Sequence, residues 1–274
     1  MARRATSLRR EGTSMIKLVY VFRRLSHLSL EECNHYWREN HGSLVRQRAA
    51  TIGLRRYVQV SRLDDPLNER LETWGGTMEQ YDGIADLYWK DYEDLLTSFS
   101  KPEAQLSDEA LREDERRFID AARSSLWLAK EEVIEGGPGR IVARKGGPIM
   151  KLVHFFCRLP GLSLQECQTY WRDTHGPLVQ QHAAALGVLR YVQAHTIDNP
   201  LNDTMRAMRG TMEPYDGVNE LWWKDRQDLE RSISTPEGQR AWKKIRQDER
   251  RFMDAARSSL WLAKEDVVID ADDG

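Results

Sequence analysis

A chain of 274 residues, 40% hydrophobic and 31% charged, has the composition of a soluble globular protein with room for two domains. Its 41 basic and 43 acidic residues nearly cancel, and no apolar run is long enough to span a bilayer, so neither nucleic acid nor a membrane is expected as a partner. Three cysteines, Cys33, Cys157 and Cys167, cannot all pair and belong to no C-x-x-C motif, which predicts reduced thiols in a cytoplasmic protein.

Residues 1–14 are basic but have no apolar segment behind the arginines, so they read as a disordered leader and not as a secretory signal. Residues 17–23 are apolar and β-branched and predict a strand. Ser29 stands three residues before Glu32, the capping box of a helix start. That helix is expected to run to about residue 50 and to end at Gly53, with Leu30, Cys33, Trp37, Leu44 and Val45 on one face. A second strand over 54–60 is followed by a polar loop containing Pro66, Leu67 and Asn68, then by a third strand over 83–90. A long helix over 92–122, interrupted at Pro102, and a closing strand over 125–133 complete the unit.

The whole pattern then recurs. Lys17-Leu18-Val19 returns as Lys151-Leu152-Val153, 134 residues on, and the same offset holds without a gap to Val133 and Val267. Residues 121–131 recur identically at 255–265. This period is far too long for a solenoid, so each copy is expected to be a domain, 15–134 and 150–270, joined by a Gly/Pro-rich linker over 135–149. The element order β-α-β-β-α-β is that of the ferredoxin-like split βαβ unit. Its third strand is apolar on both faces, Ile84 and Tyr88 on one and Leu87 and Trp89 on the other, so the sheet needs cover on both sides. The expected fold is therefore α+β: two ferredoxin-like repeats packed sheet to sheet as a pseudo-dimeric α/β barrel. Such a chain closes its barrel as a monomer, with further homodimerisation left open.

The run Arg24-Leu25, Leu28-Ser29, Tyr36-Trp37, His41-Gly42, Leu44-Val45, Arg56-Tyr57-Val58 and Tyr81-Asp82-Gly83 resembles the EthD domain. The second copy matches through Arg158-Leu159-Pro160-Gly161-Leu162-Ser163, Tyr170-Trp171 and His175-Gly176-Pro177-Leu178. The resemblance covers both halves and implies the dimeric α/β-barrel group. That group holds cofactor-free polyketide cyclases, dehydratases, decarboxylases, lactone isomerases and some monooxygenases. The function it implies is a cofactor-independent lyase, cyclase or isomerase that uses histidine acid/base chemistry on an aromatic or polyketide-like carbonyl compound. A binding or accessory protein for a small hydrophobic metabolite, and a cofactor-free monooxygenase, are the alternatives.

Of seven histidines, only His41 and His175 coincide in the two copies, and each falls within its helix's apolar stripe. A titratable ring aimed at an aromatic interior suits a general acid/base; a buried histidine that merely fixes its helix is the bland reading. Asp86 and Glu220 share an otherwise apolar strand face, so each is expected to orient a histidine, act as a second acid/base, or pair with an arginine. Tyr57 and Tyr191 could polarise a carbonyl or be structural, while Trp37, Trp171, Trp89 and Trp223 could wall an aromatic ligand or be core. Where the copies differ, Tyr20 faces His154 and Arg48 faces His182, which marks these as substrate-contact candidates and the two pockets as non-equivalent. His154, His175, His182 and Glu220 lack the spacing of a metal site, so no metal is predicted. No phosphate loop or G-x-S-x-G elbow is present, and Asp114-Glu115-Arg116-Arg117 reads as a solvated helix face.

Overall fold

The computed structural model describes residues 15–75, 78–134 and 149–271; the predicted leader and nearly all of the predicted linker lie outside them. The first half supplies strands β1 (Ile16–Arg24), β2 (Arg56–Arg62), β3 (Gly83–Trp89) and β4 (Ile119–Ile134). The second supplies β5 (Met150–Arg158), β6 (Arg190–Thr196), β7 (Gly217–Trp223) and β8 (Met253–Asp270). All eight form one closed barrel in the order β1-β3-β2-β8-β5-β7-β6-β4. The expected pseudo-dimeric barrel is thus present in a single chain. Its halves join through backbone ladders, β4 on β6 and β8 on β2, because each closing strand outruns its own sheet and continues onto the other.

Helices cover the outer face. In the first half they are α1 (Leu30–Tyr36, Trp37–His41 and Gly42–Arg48 in succession), α2 (Leu67–Gly75), α3 (Tyr92–Phe99) and α4 (Pro102–Glu115). Their counterparts are α5 (Leu164–Tyr170, Trp171–His175 and Gly176–Leu186), α6 (Pro200–Arg209), α7 (Arg226–Ser234) and α8 (Pro236–Glu249). Both predicted capping boxes are formed, Ser29 with Glu32 and Ser163 with Glu166. Two expectations are corrected. The polar loop after the second strand is a helix in both halves, started in α6 by the Asn199 side chain on the Leu201 N–H and by Pro200 in the first turn. The long helix ends at Glu115, not near residue 122, and β4 begins at Ile119, where a register shift against β1 absorbs the extra residues.

Strand alternation sorts side chains between two cores. Val19, Val21, Ile84 and Tyr88 point into the barrel, where they meet Val153, Phe155 and Trp261 of the other half. Tyr81 and Tyr215 bond hydroxyl to hydroxyl at 3.0 Å, and Phe155 stacks on Trp261, so the interior is packed. Leu18, Tyr20, Phe22, Tyr57 and Trp89 face the helices. The candidate site lies in this second layer. Among the described residues no helix is long and apolar enough to cross a membrane.

Candidate active site

Each histidine owes its position to an irregularity in its helix. Between Trp37 and His41, and between Trp171 and His175, the turn widens to a π turn that the next glycine's N–H closes on the tryptophan carbonyl. A second donor reaches the same carbonyl: Gln59 Nε2 at 2.9 Å in the first half and Gln193 Nε2 at 3.0 Å in the second. A Cβ at Gly42 would meet Gln59 Nε2 at 3.1 Å, which accounts for the glycine after the histidine. Gly83 serves a similar end on the sheet, since a Cβ there would come within 2.8 Å of Trp37. Its neighbour Asp82 ties the loop to β1 and β2 by accepting from Arg24 and Arg62.

His41 Nδ1 lies 2.8 Å from Asp114 Oδ2, and the Tyr36 hydroxyl donates to Asp114 Oδ1 at 2.6 Å. His175 and Tyr170 hold Asp248 in the same way, at 2.9 and 2.6 Å. Burial pushes the Asp114 carboxyl up, but the bonds from His41 and Tyr36 outweigh it and hold it below the usual range. For Asp248 the bond from His175 is the larger effect, and the direction is the same. An ionised carboxylate fixes the Nδ1 proton and leaves Nε2 as the basic nitrogen. These dyads correct the sequence reading twice. The run at 114–117 is not simply a solvated face: Asp114 orients the histidine and Glu115 is buried. The signal available was that Asp-Glu-Arg-Arg recurs at 248–251.

Asp86 and Glu220 do not join the histidines. They point into the barrel, where Lys17 Nζ lies 3.0 Å from Asp86 and 3.1 Å from Glu220, and Lys151 Nζ lies 3.1 Å from Glu220. The partner is lysine, not arginine or histidine. Burial lifts the Asp86 carboxyl to about 6, whereas for Glu220 burial is outweighed by Lys151 and Lys17, which hold it at about 2.

Tyr57 and Tyr191 do reach the histidine layer. Each hydroxyl accepts from the tryptophan indole and from the glutamine, at 3.0 and 3.1 Å for Tyr57 and 3.1 and 3.0 Å for Tyr191. They differ in where the phenolic proton goes. Tyr191 donates it to Asn219 Oδ1, whereas Ala85 stands at that place in the first half and Tyr57 has no acceptor among the described residues. Burial raises both phenols, so each stays protonated.

His41, Tyr57, Tyr20, Trp37 and Trp89 line one cavity of about 50 Å³, and His175, Tyr191 and His154 line its counterpart of about 30 Å³. Trp171 and Trp223 lie outside the second cavity's lining, and Arg48 and His182 line neither. The cavity of the first half opens further. Leu18, Trp89, Asp108 and Arg209 also border a cleft of about 640 Å³ between α3, α4 and α6, walled by Leu95, Phe99 and Met205. In the second half Trp242 occupies the place of Asp108, tilted against Trp223 and donating to Ser232 Oγ at 3.2 Å.

The model of the EthD domain matches residues 25–122 and again 159–256. No curated protein sequence matches the chain. Among solved structures, an anthrone oxidase-like protein aligns over 95% of this chain and 96% of its own, with 14% identity and a TM-score of 0.58, which shows a shared fold. A mutant chlorite dismutase from Candidatus Nitrospira defluvii aligns over 91% of each chain at 14% identity with a TM-score of 0.46. An ethyl tert-butyl ether D family protein from Bacillus halodurans C-125 aligns over 42% of this chain and 95% of its own, at 18% identity and a TM-score of 0.29. With its domain model matched twice over most of the length, the chain belongs to the EthD family, as a tandem duplication.

Proposed function

We propose that this protein is a cofactor-independent lyase, cyclase or isomerase acting on an aromatic or polyketide-like carbonyl compound, and that the first half is its working site. One observation carries the reading. His41, which Asp114 holds at Nδ1, and Tyr57, whose hydroxyl proton has no protein acceptor among the described residues, line a cavity next to an apolar cleft of about 640 Å³. That volume is of the size that takes a multi-ring ligand, whereas about 30 Å³ beside His175 holds little more than water.

His41 Nε2 removes a proton next to the substrate carbonyl, and Asp114 balances the imidazolium. Tyr57 donates to the oxygen as enolate charge develops there. The same proton then returns to a departing hydroxyl in dehydration or cyclisation, or to another carbon in isomerisation. In decarboxylation the C–C bond to the carboxylate breaks instead, Tyr57 steadies the enolate, and His41, protonated beforehand from solvent, gives its proton to the carbon that carbon dioxide has left. His41→Ala is expected to lower kcat/KM by about 10²- to 10⁴-fold on a hydroxylated polycyclic ketone, and His175→Ala to have little effect. Turnover intact in both single variants and in the double would overturn the mechanism. Mass analysis separates the classes. Loss of water or carbon dioxide, or an isomer of unchanged mass, fits the proposal; ligand recovered unaltered marks a binding protein, and gain of oxygen with O2 consumption marks a monooxygenase.

A further inference from the structure

We infer that Arg209, carried by α6 of the second half, is the specificity-determining residue of the first half's site, and that it selects an aromatic ligand bearing an ionised oxygen group, one per chain. The inference rests on the first half being the ligand site, though not on its chemistry.

Arg209 is the last residue of α6, and its guanidinium is buried against the first half. Its Nη2 donates to Asp108 Oδ1 at 2.8 Å and its Nε to Glu115 Oε2 at 3.1 Å. Nη1 makes no hydrogen bond among the described residues, and Arg209 borders both the large cleft and the cavity that holds His41. The residue therefore stands at the passage between them with one edge of its donor fork unused. A planar fork of this kind recognises carboxylates and related oxyanions better than a point charge does.

The surrounding charges permit a change of partner. Asp108 has a second cation, Arg112 Nε at 2.9 Å, so a ligand oxyanion that draws Arg209 away does not strand the Asp108 carboxylate. Glu115 keeps its bond through Nε. The rest of the cleft offers Leu96, Leu106 and Met208, three of the large apolar side chains that are exposed, as a bed for rings. The second half has no equivalent: the residue in register with Arg209 is Gly75, and Trp242 fills the place of Asp108.

Two fluorescent probes of one skeleton test this, 8-anilinonaphthalene-1-sulfonate and its uncharged parent N-phenyl-1-naphthylamine, titrated into the full chain. The wild type is expected to bind the sulfonate at one site per chain. Arg209→Met should weaken the sulfonate about tenfold or more and change the parent less than about twofold, as loss of one charge-assisted contact requires. Because Arg209→Met leaves Glu115 buried without its cation, the double variant Arg209→Met/Glu115→Gln is measured alongside and should show the same selectivity. Arg209→Lys should retain part of the sulfonate affinity. Sulfonate binding unchanged in both methionine variants, equal weakening of the two probes, or two equivalent sites per chain would each overturn the inference. Failure of the His41 mechanism shows in turnover and leaves this binding selectivity in place, and the reverse also holds.

Discussion

The two halves hold the same histidine, aspartate, tyrosine and tryptophan in nearly the same hydrogen-bond geometry, yet the cavity of the first borders a cleft of about 640 Å³ and that of the second is about 30 Å³. In the first half the layer between sheet and helices is opened by Asp108 and Ala85 and guarded by Arg209. In the second, Trp242 and Asn219 stand at the corresponding places, the one taking up volume and the other taking the tyrosine's proton. Both copies keep the dyad, and they differ in what surrounds it.

The largest effect expected from erasing this contrast comes from Trp242→Ala, which should cost about 3–5 kcal/mol in chemical denaturation and raise the number of sites per chain for the uncharged N-phenyl-1-naphthylamine from one towards two. A variant that loses stability but still binds one probe would show that volume is not what silences the second half. Next, Tyr57→Phe should lower kcat about 100-fold and Tyr191→Phe hardly at all. Both substitutions remove an acceptor from the indole and the amide, although Trp171 keeps Asn219 Oδ1 at 2.8 Å. A loss of kcat in Tyr57→Phe that Tyr57's lost structural bonds do not explain therefore shows as unchanged stability beside lowered turnover. Equal losses would reduce Tyr57 to a structural role.

The barrel interior gives a third contrast, between Asp86 and Glu220. An acid whose native pKa of about 6 lies above its unfolded value holds a proton that the unfolded chain releases, so its contribution to stability falls as pH rises from about 4 to about 6. Asp86→Asn removes that fall and leaves Lys17 paired with Glu131 and Glu220. Denaturation series should therefore show the variant gaining about 2 kcal/mol on the wild type between pH 4 and pH 7. Glu220, held at about 2, is stabilising above its unfolded value, and that stability is lost as pH falls through about 2. Glu220→Gln should accordingly be the more harmful variant at pH 7; if it is the milder one, the assignment of the pair is reversed. The smallest effect is expected of Asn219→Ala, about 1 kcal/mol of stability, with the Tyr191 hydroxyl released as Tyr57 already is.

Much of this could be read from residues alone. The duplication, the capping boxes at Ser29 and Ser163, the barrel and the apolar placement of His41 and His175 all follow from local pattern, which one chain segment carries by itself. Period-two alternation told which strand residues share a face but not whether that face looks into the barrel or towards the helices. Asp86 and Glu220 are for that reason expected beside a histidine or an arginine, and they meet lysines inside the barrel instead. The roles of Asp114 and Asp248 are hidden in the sequence because a charged run at a helix end is solvated unless something folds back onto it, and what folds back lies 73 residues earlier. The α6 helix had its marks in Asn199, Pro200 and Gly210, but a proline near an asparagine also signals a turn. Arg209 belongs to one copy and acts in the other, a relation that no reading of either copy alone contains.

The crossing of the two closing strands has a consequence for how the chain is made. The end of β4, Ala129 to Ile134, has its partner in β6, and β2 has its second neighbour in β8, the last of the described strands. While the second half is still being synthesised, the first presents two bare edges with nothing of its own to pair them, the circumstance in which strands seek partners in other molecules. A truncation after the first half would be expected to associate with its like.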